Sequence, residues 1–286
     1  MAIAFALLSS LCFGIAHVTA RVGLRRLDAR AGAAISVPSA ALLFIVAAPF
    51  ALDLSQFSAT AALLFAVVGV FFPAVVTLLN FRSNELLGAT ATSTVSGTTP
   101  LFALVAAALL LDEKIPARAV VAAAGVVLGI ALLSWNPGGV RRRFIGWPLL
   151  VPLAGAVVRA LAQVGARAAL LLWPNPFAAS LIGYAVSSAA VISADRLAGA
   201  ERRRLTVHSA TWFGVTGALN GGAVLLMYLA LTAAPVALVA PIVAAYPLVT
   251  LLVGAIVLQD EAVTLPRIAG AAVTVGAIVY LVASRT

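Results

Sequence analysis

Long apolar runs, separated by short clusters of charge, Pro or Gly, recur along the whole chain. A bilayer core about 30 Å thick needs about 20 apolar residues per spanning helix. Ten windows fit that length to within a few residues: 2–24, 32–52, 59–81, 86–111, 116–135, 146–172, 176–194, 209–231, 235–258 and 263–283. The connections between them are too short to fold separately, so the pattern predicts one integral membrane unit without a soluble domain. The longest polar stretch, Asp195 to Arg204, is a single loop. The first run begins without the basic residues of a secretory signal, since the first positive residue is Arg21. It is therefore read as a retained first helix.

An internal repeat organises these ten windows. "AHVTARVGL" from Ala16 aligns with "AQVGARAAL" from Ala162 at an offset of 146, with five of nine positions identical, Arg21 and Arg167 among them. "PLFALVAAALLLDE" from Pro100 aligns with "PLVTLLVGAIVLQD" from Pro247 at an offset of 147, which also pairs Gly129 with Gly276 and Phe81 with Tyr228. Residues 1–140 and 141–286 then each hold five helices. An odd number makes the second half enter the membrane upside down relative to the first. The predicted fold class is an all-α membrane protein of ten transmembrane helices, two inverted five-helix repeats around a central cavity. Inverted repeats are a common construction of secondary transporters, with the substrate site near the midplane. A duplicated scaffold or an intramembrane enzyme is the alternative.

Composition agrees. Of 286 residues, 63% are apolar and 9% charged, against about a quarter charged in soluble domains. The net charge of +9 would point to nucleic acid in a soluble chain, but 17 of the 18 basic residues are Arg clustered between apolar runs. Such clusters encode topology. Loops 1–2, 3–4, 5–6, 7–8 and 9–10 hold 13 basic residues, and the opposite side holds three, Lys114, Arg118 and Arg285. The positive-inside rule places the first set in the cytoplasm and both termini outside, with Arg141–Arg143 as the strongest marker. The lone Cys12 excludes an intrachain disulfide.

Several polar residues interrupt the apolar runs. Arg159 falls at the centre of the sixth window, where Arg costs about 2.5–3.5 kcal/mol on the insertion scale. All nine acidic residues sit in or near loops, so none is available mid-span as its partner. A substrate carboxylate fits the guanidinium fork; a register shift letting Arg159 snorkel to an interface is the alternative. Gln163 and Arg167 continue one polar face of that helix. His17 is the repeat counterpart of Gln163, a cavity-lining residue and proton shuttle, or a group bonded to a neighbouring carbonyl. His208 is read as a loop residue. Seven Ser/Thr lie between Gly88 and Thr99, just before Pro100. That proline frees a carbonyl near Ser96, so Ser96 and Thr99 are cavity candidates, as is Tyr246 beside Pro247. Pro100 and Pro247 are paired hinge candidates, or kinks that only improve packing. Asn80 and Asn220 are further cavity candidates, or weak interhelical glue. Gly125-xxx-Gly129 and Ala272-xxx-Gly276 permit close packing of helices five and ten. No nucleotide, metal or Ser–His–carboxylate motif is present, so no cofactor and no catalytic set is expected.

Ten helices as five plus five, prolines in helices four and nine, and the acidic exits "LLLDEKIP" and "VLQDEAVTLP" resemble the drug/metabolite transporter superfamily, in its EamA-type members. The resemblance spans nearly the whole chain. It implies export or exchange of small metabolites across the bacterial inner membrane. Some members move amino acids, aromatic ones included, and others drugs or sugars. The short loops are similar to the amino-acid-exporter branch, so an amino acid or similar carboxylate is the expected substrate, with the lipid bilayer as the surrounding partner and a monomer as the expected state. Exporters of drugs or other metabolites are the alternative within transport.

Overall fold

The computed structural model describes residues 1–87, 95–133, 147–197, 207–257 and 264–284. The Arg141–Arg143 marker, residues 88–94 of the hydroxyl-rich 88–99 run, Asp260 and Arg285 lie outside the described residues, as does the side chain of Phe81.

Described residues form helices and no strands. They are α1 (Ala2–Leu24), α2 (Ala29–Ala51), α3 (Ala59–Gly69), α4 (Val76–Leu87), α5 (Thr99–Leu111), α6 (Ala117–Leu133), α7 (Leu150–Leu172), α8 (Pro176–Leu197), α9 (Val207–Ala233), α10 (Val236–Val243), α11 (Tyr246–Val257) and α12 (Leu265–Ala283). Eight stretches are long and apolar enough to cross a membrane: α1, α2, Ala59–Asn80, Trp147–Leu172, α8, α9, Val236–Val257 and α12. α5 and α6 are shorter apolar helices. Small polar side chains start several of them. Asp28 accepts from Ala31 N at 2.8 Å, Ser58 from Ala61 N at 3.3 Å, and Asn175 from Ala178 N at 2.9 Å. Each satisfies an N–H that the first helical turn leaves without a partner.

Large apolar side chains cover the outside as well as the interior. Ala, Gly and Ser fill much of the interior, while Leu42, Val46, Leu63, Leu109 and Ile256 are over half exposed. That distribution suits lipid outside and close backbone approach inside. α1 packs antiparallel to α9, through Ser9 Oγ donating to Ala223 O (2.7 Å) and a Thr19–Thr216 hydroxyl pair (2.8 Å). α7 packs on α3 and α4, α2 on α8 and α9, α3 on α8, α5 on α7, and α1 on α10 and α11. α6 and α12 run antiparallel, with Arg118 Nη1 donating to Ser284 O at 2.6 Å. Within that pair, a Cβ on Gly125 would stand 2.8 Å from Ala277 Cβ, and one on Gly270 would stand 2.6 Å from Gly129 O. Gly125 and Gly129 thus sit in this contact as the sequence predicts, but their partners are Gly270, Thr274 and Ala277, and the predicted Ala272 and Gly276 face away from it.

Four expectations are corrected. The third window is broken: Phe72 is non-helical (φ −134°, ψ 124°), the Phe72–Pro73 peptide is cis, and the chain resumes as α4, which runs on to Leu87 rather than ending at 81. Pro73 has no N–H for the Gly69 carbonyl one turn earlier, and Ser187 Oγ donates to that carbonyl instead. The ninth window splits at 244–245 into α10 and α11. Pro100 and Pro247 accordingly stand in the first turns of α5 and α11, where a missing N–H costs nothing, and do not kink continuous helices. His208 belongs to the first turn of α9, where Trp212 Nε1 donates to its Nε2 at 3.1 Å, and is not a loop residue.

Candidate functional site

The break at Phe72 opens one wall of a cavity in the middle of the bundle. α1 contributes Phe13 and His17, the break Phe72 and Pro73, α4 Thr77 and Asn80, α7 Arg159, α8 Tyr184, and α9 Thr216 and Asn220. Irregular backbone at membrane depth is tolerated where it lines a cavity. The cavity volume is about 50 Å³, room for a few water molecules.

Four of the predicted residues, Arg159, His17, Asn80 and Asn220, therefore meet around one space, although they come from four helices. Arg159 is 8% exposed. Its guanidinium carbon lies 5.9 Å from the Phe13 ring centre, 6.0 Å from Phe72 and 5.6 Å from Tyr246. Each such contact stabilises a cation by about 0.5–1 kcal/mol, more when desolvated. Three together are comparable to the insertion cost of a mid-span Arg, so the rings hold the charge without an acid. They do not satisfy its N–H donors. No hydrogen bond or ion pair to Arg159 exists among the described residues, and the guanidinium faces the cavity.

Tyr246 does not line the cavity but orders it. Its ring stacks on His17, with centres 4.9 Å apart and planes 10° from parallel. Gln163, one turn beyond Arg159, is 4% exposed, and its Oε1 has no hydrogen-bond partner. It lies outside the cavity lining. Ser96 and Thr99 are also set back. Ser96 Oγ donates to Asn80 Oδ1 at 3.4 Å, and Thr99 Oγ1 donates to Ser96 O at 2.6 Å. The latter carbonyl is the one freed by Pro100, so Thr99 satisfies it while Ser96 bonds to Asn80.

Sequence reasoning missed Tyr184, Thr216 and the Phe72–Pro73 break. Tyr184 is 1% exposed, and its hydroxyl has no hydrogen-bond partner. The available signal was Pro73 within an apolar run, which marks a broken helix. A second missed group lies at one end of the bundle. Asp112, left-handed at φ 51°, ends α5 and redirects Glu113. The Glu113 carboxylate accepts from Val236 N (3.2 Å) and Ala237 N (3.4 Å), at the positive end of α10. It also lies 3.9 Å from Arg167 Nε, while Arg167 Nη1 donates to the Leu231 and Thr232 carbonyls at the end of α9. Arg167 thus serves this clasp rather than extending a polar stripe into the cavity. A larger recess, about 530 Å³, lies between the 52–58 and 173–175 loops, and none of the predicted residues lines it. Among the described residues no group of His, Cys, Asp and Glu is placed to hold a metal ion.

Residues 1–135 match the EamA-like transporter family. A crystal structure of another protein shares the fold, with a TM-score of 0.80 at 17% identity over 99% of this chain and 98% of that one. No curated protein matches in sequence.

Proposed function

From the match of residues 1–135 to the EamA-like transporter family, we propose that this multi-pass membrane protein is a secondary transporter of small carboxylate-bearing metabolites. Arg159 carries the proposal: a guanidinium at the centre of a span, buried, unpaired and facing a small cavity. Its planar fork binds a carboxylate through two parallel hydrogen bonds. Amino acids and acids that lack an ammonium group both belong to this class. Asn80, Asn220 and Tyr184 offer the other polar contacts. His17 and Tyr246 shape the aromatic wall.

Alternating access of two inverted halves, about 1–140 and 141–286, is the mechanism we favour. Packing supports it. Exchanging each spanning segment for the one five places away turns the α1–α9 pair into the α7–α3/α4 pair, and the α2–α9 pair into the α8–α3 pair. The α6–α12 and α2–α8 pairs map onto themselves. Two close backbone approaches correspond as well. Gly69 meets Gly183, Gly217 meets the Ser36 carbonyl, and Ser36 aligns with Gly183 at the offset of 147. A cavity of about 50 Å³ is too small for a metabolite of several carbons, so one half must move for loading. The basic loops favour an inner-membrane protein with both termini outside.

The test is counterflow of labelled carboxylates and amino acids in proteoliposomes holding only this chain. Arg159→Ala abolishes exchange, and Arg159→Lys restores part of it, because Lys lacks the fork. Monodisperse Arg159→Ala protein with wild-type exchange of every substrate tested refutes the reading.

A further inference from the structure

Resting on the carboxylate reading, we infer that this cavity selects net-anionic acids, of the 2-oxo or 2-hydroxy kind, over zwitterionic amino acids of the same side chain. Among the described residues its lining carries one formal charge, Arg159, and no Asp or Glu. A monoanion neutralises the site. An amino acid brings its own ammonium within a few ångströms of the guanidinium and leaves the charge of the occupied cavity at +1.

The hydrogen-bonding inventory points the same way. A cationic group inside a membrane pairs with acidic side chains or with backbone carbonyls. Here the Gly69 carbonyl, left open by Pro73, is occupied by Ser187 Oγ, and Asn80 Oδ1 accepts from Ser96 Oγ. What remains is rich in donors: the guanidinium N–H groups, the Asn220 and Asn80 amides, and the buried Tyr184 hydroxyl with no partner. A carboxylate with an acceptor oxygen on the adjacent carbon uses these groups. An ammonium uses few of them.

Charge also gives a direction. A loaded site is neutral and an empty one positive, so each cycle moves one charge. An inside-negative potential of 100 mV then favours outward movement of a monoanion about fifty-fold, without a coupling ion. Zwitterion transport gains nothing from that potential.

The experiment compares matched pairs in proteoliposomes of the full chain: leucine against 4-methyl-2-oxopentanoate, and phenylalanine against phenylpyruvate. Potassium–valinomycin potentials of either sign are imposed. The expected result is a kcat/KM at least about tenfold higher for each oxo acid, with efflux accelerated by an inside-negative potential. Tyr184→Phe raises KM severalfold more for 4-methyl-2-oxopentanoate than for 4-methylpentanoate, which lacks the oxo oxygen, and an equal rise for both counts against the inference. Arg159-dependent transport that favours the amino acids, or rates that ignore the potential, overturns the inference while the carboxylate site stands. Transport of neither member of any pair by correctly inserted protein overturns both.

Discussion

Removing the Glu113 carboxylate tests whether the clasp at the end of the bundle holds four segments together. Glu113 and Arg167 are only 13% and 16% exposed, so water screens their interaction weakly. At 3.9 Å and an effective dielectric constant near 20, the gross attraction is about 4 kcal/mol. Desolvation of both groups opposes it. The bonds from Val236 N and Ala237 N, at 3.2 and 3.4 Å, are long, and each belongs at the low end of the roughly 1.5–3 kcal/mol of a charged acceptor. Arg167 keeps its two α9 carbonyls in the variant, which limits the loss. The net expectation is about 2–3 kcal/mol for Glu113→Ala and about 1 kcal/mol for Glu113→Gln, which retains an acceptor oxygen. Thermal unfolding of the detergent-solubilised protein reads this as a fall in Tm of roughly 4–8 °C for Ala and 2–3 °C for Gln. A double-mutant cycle with Arg167→Met then shows a coupling of about 1 kcal/mol or more. A Glu113→Ala Tm within a degree of wild type, or a cycle with no coupling, refutes the clasp.

Gly129→Ala inserts a methyl group against Thr274 and the Gly270 carbonyl. It is expected to cost about 1–3 kcal/mol, seen as a lower Tm, whereas Gly276→Ala, with open space at its Cβ, stays near wild type. Pro100→Ala and Pro247→Ala change stability by less than about 1 kcal/mol, because each proline occupies a first helical turn. Both slow exchange if the breaks before α5 and α11 act as hinges, and full-rate exchange by both would make them packing features. A reporter fused after Thr286 is active only if it functions in the periplasm, and cytoplasm-only activity there contradicts the charge-based topology.

Sequence alone located the eight apolar stretches long enough to span a membrane and the two shorter apolar helices beside them. Apolar runs of bilayer length leave a helix as the one local structure that satisfies its own backbone in lipid. It also determined the mid-span Arg159, because an ionised group inside an apolar run is visible without any contact map. The EamA-type resemblance, the Gly125–Gly129 side of the contact between helices five and ten, and four residues of the cavity were legible as well, whereas the partners of those glycines, Gly270, Thr274 and Ala277, were not. The tertiary structure decided the rest. Thr19 meets Thr216, and Ser187 meets the Gly69 carbonyl. No local periodicity encodes contacts between residues more than a hundred positions apart. Tyr184 resembles any other aromatic in an apolar helix until the bundle brings it to the lining of the cavity with its hydroxyl lacking a partner. Glu113 looks like a loop carboxylate until Asp112 turns it onto the start of α10. Pro100 reads as a kink from sequence, and only the break before it shows that it begins a helix. Local pattern specified what each segment is, while burial and unpaired polar atoms, which depend on every other segment, specified what each side chain does.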